Sequence, residues 1–145
     1  MKDLGQAAPV EIRRANGQDI PRIAEIQAAS PEAAQWDPPS YLNNDVWVAA
    51  KGSAIVGFLA ARQTAPGESE ILNLAVEPAA RRMGVGYRLV RQALESRSGE
   101  WFLEVRASNV AAIRLYEDLG FVRSGRRENY YGKPPEAAIV MRFFS

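Results

Sequence analysis

Residues 81–87 read Arg-Arg-Met-Gly-Val-Gly-Tyr and lie between a β-rich run and a helical one. Gly84 and Gly86 carry no Cβ, so successive backbone N–H groups there can close on an anion at a helix N-terminus. Arg81 and Arg82 add positive charge. A diphosphate suits such a cradle, because it spreads its charge over several acceptors that meet the free donors of a first helical turn. The same spacing also suits a plain strand-to-helix turn. It fits a dinucleotide fingerprint poorly, since Tyr87-Arg88-Leu89 does not complete Gly-x-Gly-x-x-Gly.

The side chains available for catalysis are restricted. The chain has no Cys and no His, which rules out disulfides, thiolate zinc sites, a cysteine acyl-enzyme and a Ser-His-Asp relay. A general base must be Asp, Glu, Lys, Tyr or a water. Carboxylate metal sites stay open in principle, but no EF-hand spacing occurs and no metal is expected.

Strand alternation over 101–106 puts Trp101, Leu103 and Val105 on one face and Phe102, Glu104 and Arg106 on the other. Glu104 is therefore either a base beside an aromatic or a solvated carboxylate paired with Arg106. Tyr116 shares a helical side with Ile113, which on pattern alone describes a core aromatic with its hydroxyl at the rim. Asn109 follows Ser108, the expected helix cap, in a common polar position. Trp36, in a proline-containing loop, and Tyr130 and Tyr131, in a stretch that also holds Arg123, Arg126 and Arg127, suit a peptide-binding wall or ordinary surface.

The elements that must position these residues follow from periodicity and turn chemistry. Strands are expected at 11–14, 46–50, 54–62, 70–76, 101–105, 121–126 and 138–143. One helix follows Asn16-Gly17 with Ile20, Ile23 and Ala24 on its apolar side. A second starts near Val85 with Leu89, Val90, Ala93 and Leu94. A third covers 109–119, with Val110, Ile113, Tyr116 and Leu119 near one face and Gly120 as its stop. Residues 30–44 read as a loop, and 128–135 as a polar connection. The order β-α-β-β-β-α-β-α-β-β describes one α/β domain over 1–145 with a mixed, mostly antiparallel sheet flanked by helices.

At 145 residues, 47% hydrophobic and 24% charged, the chain is long and apolar enough to bury a core. A net charge of +1 gives no broad electrostatic reason to bind nucleic acid or an acidic membrane. No run approaches a bilayer-spanning length, and the first nine residues lack a signal-peptide core, so a cytoplasmic location is expected.

Arg-x-x-Gly-x-Gly, with Leu72-Asn73-Leu74-Ala75-Val76 before it and the segments 103–109 and 115–121 after it, resembles the GNAT acyltransferase superfamily, in particular its RimI-type N-terminal acetyltransferases. The resemblance runs from about residue 11 to 141 and is most specific over 103–121. It implies acetyl-CoA as cosubstrate, with its pantetheine arm on Leu74, Ala75 and Val76, and its pyrophosphate on Arg82, Met83, Gly84, Val85, Gly86 and Tyr87. It implies that Asn109 contacts the cofactor, and that Glu104 and Tyr116 act as proton acceptor and proton donor. Its acceptor would be a protein N-terminus, that of a small-subunit ribosomal protein. The sequence departs from the family where substrate is expected, at Arg127-Glu128-Asn129-Tyr130-Tyr131, at Glu136-Ala137 and in the longer loop carrying Trp36. An enzyme acting on a small-molecule amine or a lysine, and a catalytically silent acyl-CoA sensor, are the alternatives.

Overall fold

A computed structural model describes residues 9–81, 83–132 and 135–144, with the side chains of 129 and 131 outside that description. The elements are β1 (Val10–Arg14), α1 (Ile20–Ala28), β2 (Asp45–Lys51), β3 (Ala54–Ala65), β4 (Glu68–Val76), α2 (Val85–Ser96), β5 (Glu100–Arg106), α3 (Val110–Asp118), β6 (Val122–Gly132) and β7 (Pro135–Phe144). Short 3-10 turns occupy Gly17–Asp19, Pro38–Asn43 and Pro78–Ala80.

The strands form one seven-stranded sheet in the order β1-β2-β3-β4-β5-β7-β6. Every neighbouring pair is antiparallel except β4 and β5. That parallel pair needs a crossover, which α2 supplies. β2, β3 and β4 form the consecutive antiparallel run expected from their turn residues.

Alternation along the strands divides the core in two. One face packs under α2 and α3, with Leu59, Leu89, Trp101, Leu103, Ile113, Tyr116 and Met141 buried. The other packs under α1 and the following loop, with Ile23, Ile26, Tyr41, Val48, Phe58 and Leu72 buried. Trp101, Leu103 and Val105 thus face α2 and α3, as their spacing predicts, and Glu104 stands on the α1 side.

Two expectations need correction. The connection 128–135 is strand over much of its length, because β6 continues to Gly132 and pairs Tyr131 with Glu136 and Gly132 with Pro135. Its aromatic pair favours strand, a signal that the glycine and prolines of the segment obscured. Val110 is 61% exposed, so the buried face of α3 is Ile113 and Tyr116. Val110 points away from the apolar cluster, which Ile113 of the same turn joins and Ala112 packs against.

The approach to α1 is fixed by polar chemistry. Asn16 accepts from the Gln18 N–H while Asp19 Oδ2 accepts from the Asn16 N–H, a reciprocal capping box. Asp19 also receives both guanidinium ends of Arg13, at 2.9 and 3.0 Å. The Arg13 hydrogen bonds hold its carboxyl below the usual carboxylate range, against the opposing effect of burial. A depressed folded-state pKa stabilises the fold above the unfolded value of about 3.9 and loses that contribution as pH falls through the folded value. Asp19→Asn is therefore expected to cost about 1–2 kcal/mol at neutral pH, the pair's share being trimmed because Arg13 is partly solvated. Urea titrations of both proteins should show this gap narrowing below about pH 4.

Candidate active site

The site begins where two strands part. β4 and β5 are paired only from Glu68↔Glu100 to Ile71↔Leu103. On its other edge β4 has a bulge there: Ala61 faces Ile71 and Ala60 faces Asn73, which leaves Leu72 as the extra residue. Beyond Ile71, β4 stays with β3, and β5 stays with β7 up to Arg106. The sheet opens between them. Glu32, Ala33 and Ala34 line this opening from the α1 side, and Asn109, Ala112 and Tyr116 line it from α3.

The opening bares one backbone edge of β4. Glu77 N–H donates to the Val56 carbonyl across β3, so antiparallel alternation turns the N–H and C=O of Leu74 and Val76 the other way, toward β5. The Leu74 N–H meets the Asn73 Oδ1 at 3.0 Å, and the Val76 carbonyl accepts from Arg81 Nε at 3.0 Å. Among the described residues both groups have partners from the nearby chain, Asn73 and Arg81.

The glycine loop follows directly. Gly84 is the N-cap of α2 at φ 75°, a left-handed conformation natural to glycine, and among the described residues no side chain caps the helix. The helix thus starts with free backbone donors. Gly86 serves packing instead. A Cβ there would lie 3.2 Å from Leu115 and 3.8 Å from Leu74, so its absence lets α2 pack closely on α3 and β4. Met83 and Tyr87 are exposed at the loop. Arg82 lies outside the described residues. Arg81 does not add its charge to an open phosphate site, because it binds Glu32 at 2.9 Å and Ser30 at 3.2 Å and straps the loop after α1 to the end of β4.

On the α1 side the opening continues into a cleft of about 540 Å³ lined by Ala34, Gln35, Trp36, Glu70, Ile71, Leu72, Glu104, Arg106 and Tyr130. Glu104 is largely recessed and accepts from Arg127 Nη1 at 2.9 Å, so its cationic partner is Arg127 on β6 instead of Arg106. Arg106 turns to Glu136 at 3.5 Å. Glu136 also accepts from the Ser108 N–H, and its hydrogen bonds to Ser108 hold its carboxyl below the usual range. The helix cap is Asn109 instead of Ser108: its Oδ1 accepts from the Ala112 N–H at 3.3 Å. Tyr116 is buried with its ring 5.5 Å from that of Phe121.

The structure thus gathers Leu74, Glu104, Asn109 and Tyr116 around the opening, and Trp36, Glu104 and Tyr130 around the cleft. Met83 to Tyr87 stand apart, at the start of α2. The side chain of Tyr131 lies outside the described set.

Sequence reasoning missed the buried network behind the cleft. Gln27 Nε2 donates to the Trp36 carbonyl at 2.6 Å, and its Oε1 accepts from the Tyr41 hydroxyl at 2.6 Å and from Asn73 Nδ2 at 3.2 Å. Asn73 Nδ2 also reaches the Tyr41 oxygen at 2.9 Å and the Ala34 carbonyl at 2.7 Å. Burial pushes the Tyr41 hydroxyl up to about 12, so it remains a donor at any physiological pH. The one visible signal was Asn73 itself, a polar residue in the apolar run 71–76.

The acetyltransferase (GNAT) family model matches residues 16–121, a span running from the turn before α1 to the end of α3. The chain belongs to the GNAT acetyltransferase family. It is 34% identical over 145 residues to N-alpha-acetyltransferase RimI of Mycobacterium tuberculosis, covering 92% of each chain. The crystal structure of the ribosomal-protein-S18-alanine N-acetyltransferase from Escherichia coli superposes with a TM-score of 0.78 at 30% identity, over 93% of each chain. Arabidopsis thaliana NAA60, solved in complex with acetyl-CoA, shares the GNAT fold with a TM-score of 0.83 at 20% identity, over 94% of this chain and all of that one (100%). The parted strands and the glycine-started α2 are therefore features of a GNAT acetyltransferase with RimI relatives.

Proposed function

We propose that the chain transfers acetyl from acetyl-CoA to a protein N-terminal amine, the acceptor being the N-terminal alanine of small-subunit ribosomal protein S18. The observation that carries this reading is the opening between β4 and β5, where the Leu74 backbone edge, Glu104 and Tyr116 line one space. The RimI relatives support the choice of acceptor.

In this reading the pyrophosphate rests on the first turn of α2, and the pantetheine arm runs along the edge of Leu74, Ala75 and Val76. Asn109 spends its Oδ1 on the Ala112 N–H, which leaves its amide nitrogen to donate to the cofactor. The acceptor enters from the cleft by Trp36 and Tyr130. Glu104, directly or through a water, removes a proton from the ammonium. The freed amine attacks the thioester carbonyl carbon, and the Leu74 N–H, released from Asn73, donates to the oxyanion. Collapse breaks the C–S bond, Tyr116 gives the departing thiolate its proton, and the second proton of the attacking nitrogen returns through water to the Tyr116 oxygen. Positioning of amine and thioester supplies much of the rate.

Substitution at the loop tests the cofactor half. Gly84→Val forces a β-branched residue to positive φ and disturbs the first-turn donors. The KM for acetyl-CoA should rise about tenfold in steady-state assays, with the acceptor KM little changed.

The acceptor is tested by comparing an S18 N-terminal peptide with an otherwise identical peptide bearing a bulky first residue, and with spermidine. Acetylation of the Ala peptide alone is the expected result. Efficient transfer to spermidine would replace the proposed acceptor with a small-molecule amine, and tight CoA binding without any product would identify a sensor.

A further inference from the structure

Arg127 holds the position that an incoming cation would need. Glu104 lies opposite Val140 on β7, and Val140 lies opposite Gly125 on β6, so the residue of β6 level with Glu104 has no side chain. Arg127, two positions along the same face, reaches back over this gap to Glu104 Oε2 at 2.9 Å. Its guanidinium carbon sits 4.2 Å from the centre of the Tyr130 ring. The recessed carboxylate and the aromatic face together form a cation receptor, and an arginine of the chain itself fills it.

The pair is unequal. The Glu104 side chain is 15% exposed and that of Arg127 is 56% exposed. The cation can therefore swing into water at small cost, whereas the carboxylate is fixed in the cleft wall. The other charges facing the cleft are already matched, Glu70 by Arg62 at 3.0 Å and Arg106 by Glu136. Arg62 lies directly opposite Glu70 and holds it through both Nε and Nη2, whereas Arg127 reaches Glu104 through Nη1 from two residues out of register, which makes it the looser of the two partners.

We propose that Arg127 is a built-in competitor for the acceptor ammonium. It neutralises Glu104 and covers Tyr130 in the free enzyme, and the acceptor must displace it to bind, so Arg127 sets the acceptor affinity. No covalent step involves it. The inference rests on the reading of Glu104 as the acceptor-facing base and goes beyond it by assigning a role to a residue outside the reaction.

The test is a comparison of wild type, Arg127→Ala, Arg127→Lys and Glu104→Gln with an Ala-initiated peptide. Arg127→Ala should lower the acceptor KM about three- to tenfold, with the acetyl-CoA KM unchanged and kcat not reduced. Arg127→Lys restores a cation and should stay near wild type. Methylguanidinium chloride, added as a stand-in for the lost side chain, should inhibit Arg127→Ala competitively against the peptide and more strongly than it inhibits wild type. An unchanged or raised acceptor KM in Arg127→Ala would overturn the proposal, because an arginine that grips the substrate or only braces the hairpin gives that result. Full turnover by Glu104→Gln would instead remove the reading on which the proposal rests, and the two failures are separately visible.

Discussion

Glu104→Gln is expected to lower kcat by about two to four orders of magnitude, with acetyl-CoA binding unchanged. Gln keeps the shape and one acceptor oxygen but cannot take a proton, and the chain has no His or Cys to replace it. The fold should tolerate the change. Glu104 lies on a cleft wall with a solvated partner, and neither core cluster contains it. Tyr116→Phe keeps the ring against Phe121 and removes only the hydroxyl, so kcat should fall while both KM values hold. Stopped-flow turnover alongside calorimetric CoA titration separates chemistry from binding. If both variants retained wild-type turnover, the assigned roles would be wrong.

Gln27→Leu has the largest expected effect on stability. Leu fills a similar volume but removes the acceptor of the Tyr41 hydroxyl and the donor to the Trp36 carbonyl, leaving buried polar groups short of partners. Tyr41 cannot escape by ionising, since burial keeps its hydroxyl protonated up to about 12. A loss of about 3 kcal/mol is expected, or a Tm lower by roughly 6–12 °C for a domain of this size. Tyr41→Phe should cost only about 1 kcal/mol, because Asn73 Nδ2 still has the Gln27 oxygen and the Ala34 carbonyl. Thermal unfolding monitored by circular dichroism distinguishes the two.

The same network reaches the site. Gln27 holds the Trp36 carbonyl and Asn73 holds that of Ala34, and both residues so held line the cleft beside Glu104. Asn73 also occupies the Leu74 N–H through its side-chain oxygen. Gln27→Leu should therefore raise the acceptor KM more than the acetyl-CoA KM, linking a buried glutamine on α1 to acceptor binding.

What the sequence made legible was local. Alternation over 101–106 put Glu104 on the face opposite Trp101 and Leu103, and the structure agrees. Arg-x-x-Gly-x-Gly marked the start of α2, although its two glycines differ in purpose: Gly84 supplies a left-handed cap and Gly86 a close packing contact. The rest depended on partners far apart in the chain. Asn73 meets Gln27 across 46 residues and Tyr41 across 32, separations that carry no periodic signal. Arg81 looked like phosphate charge until Glu32, 49 residues away, came within 2.9 Å. Likewise, Arg127 could be matched to Glu104 only once the register β5-β7-β6 was known. Asn109 took the cap expected of Ser108, whose side chain as well as its N–H is bound to Glu136 of the distant strand β7.

If the opening between β4 and β5 directs acetyl transfer to a protein α-amine, the position of the acetyl group in the product reveals it. A peptide with N-terminal alanine and one internal lysine, incubated with the enzyme and acetyl-CoA, would be sequenced by tandem mass spectrometry. A single acetyl group on the alanine nitrogen is expected, and none on a peptide whose α-amine is already blocked. Acetyl on the lysine, or equal labelling of the blocked peptide, would contradict it.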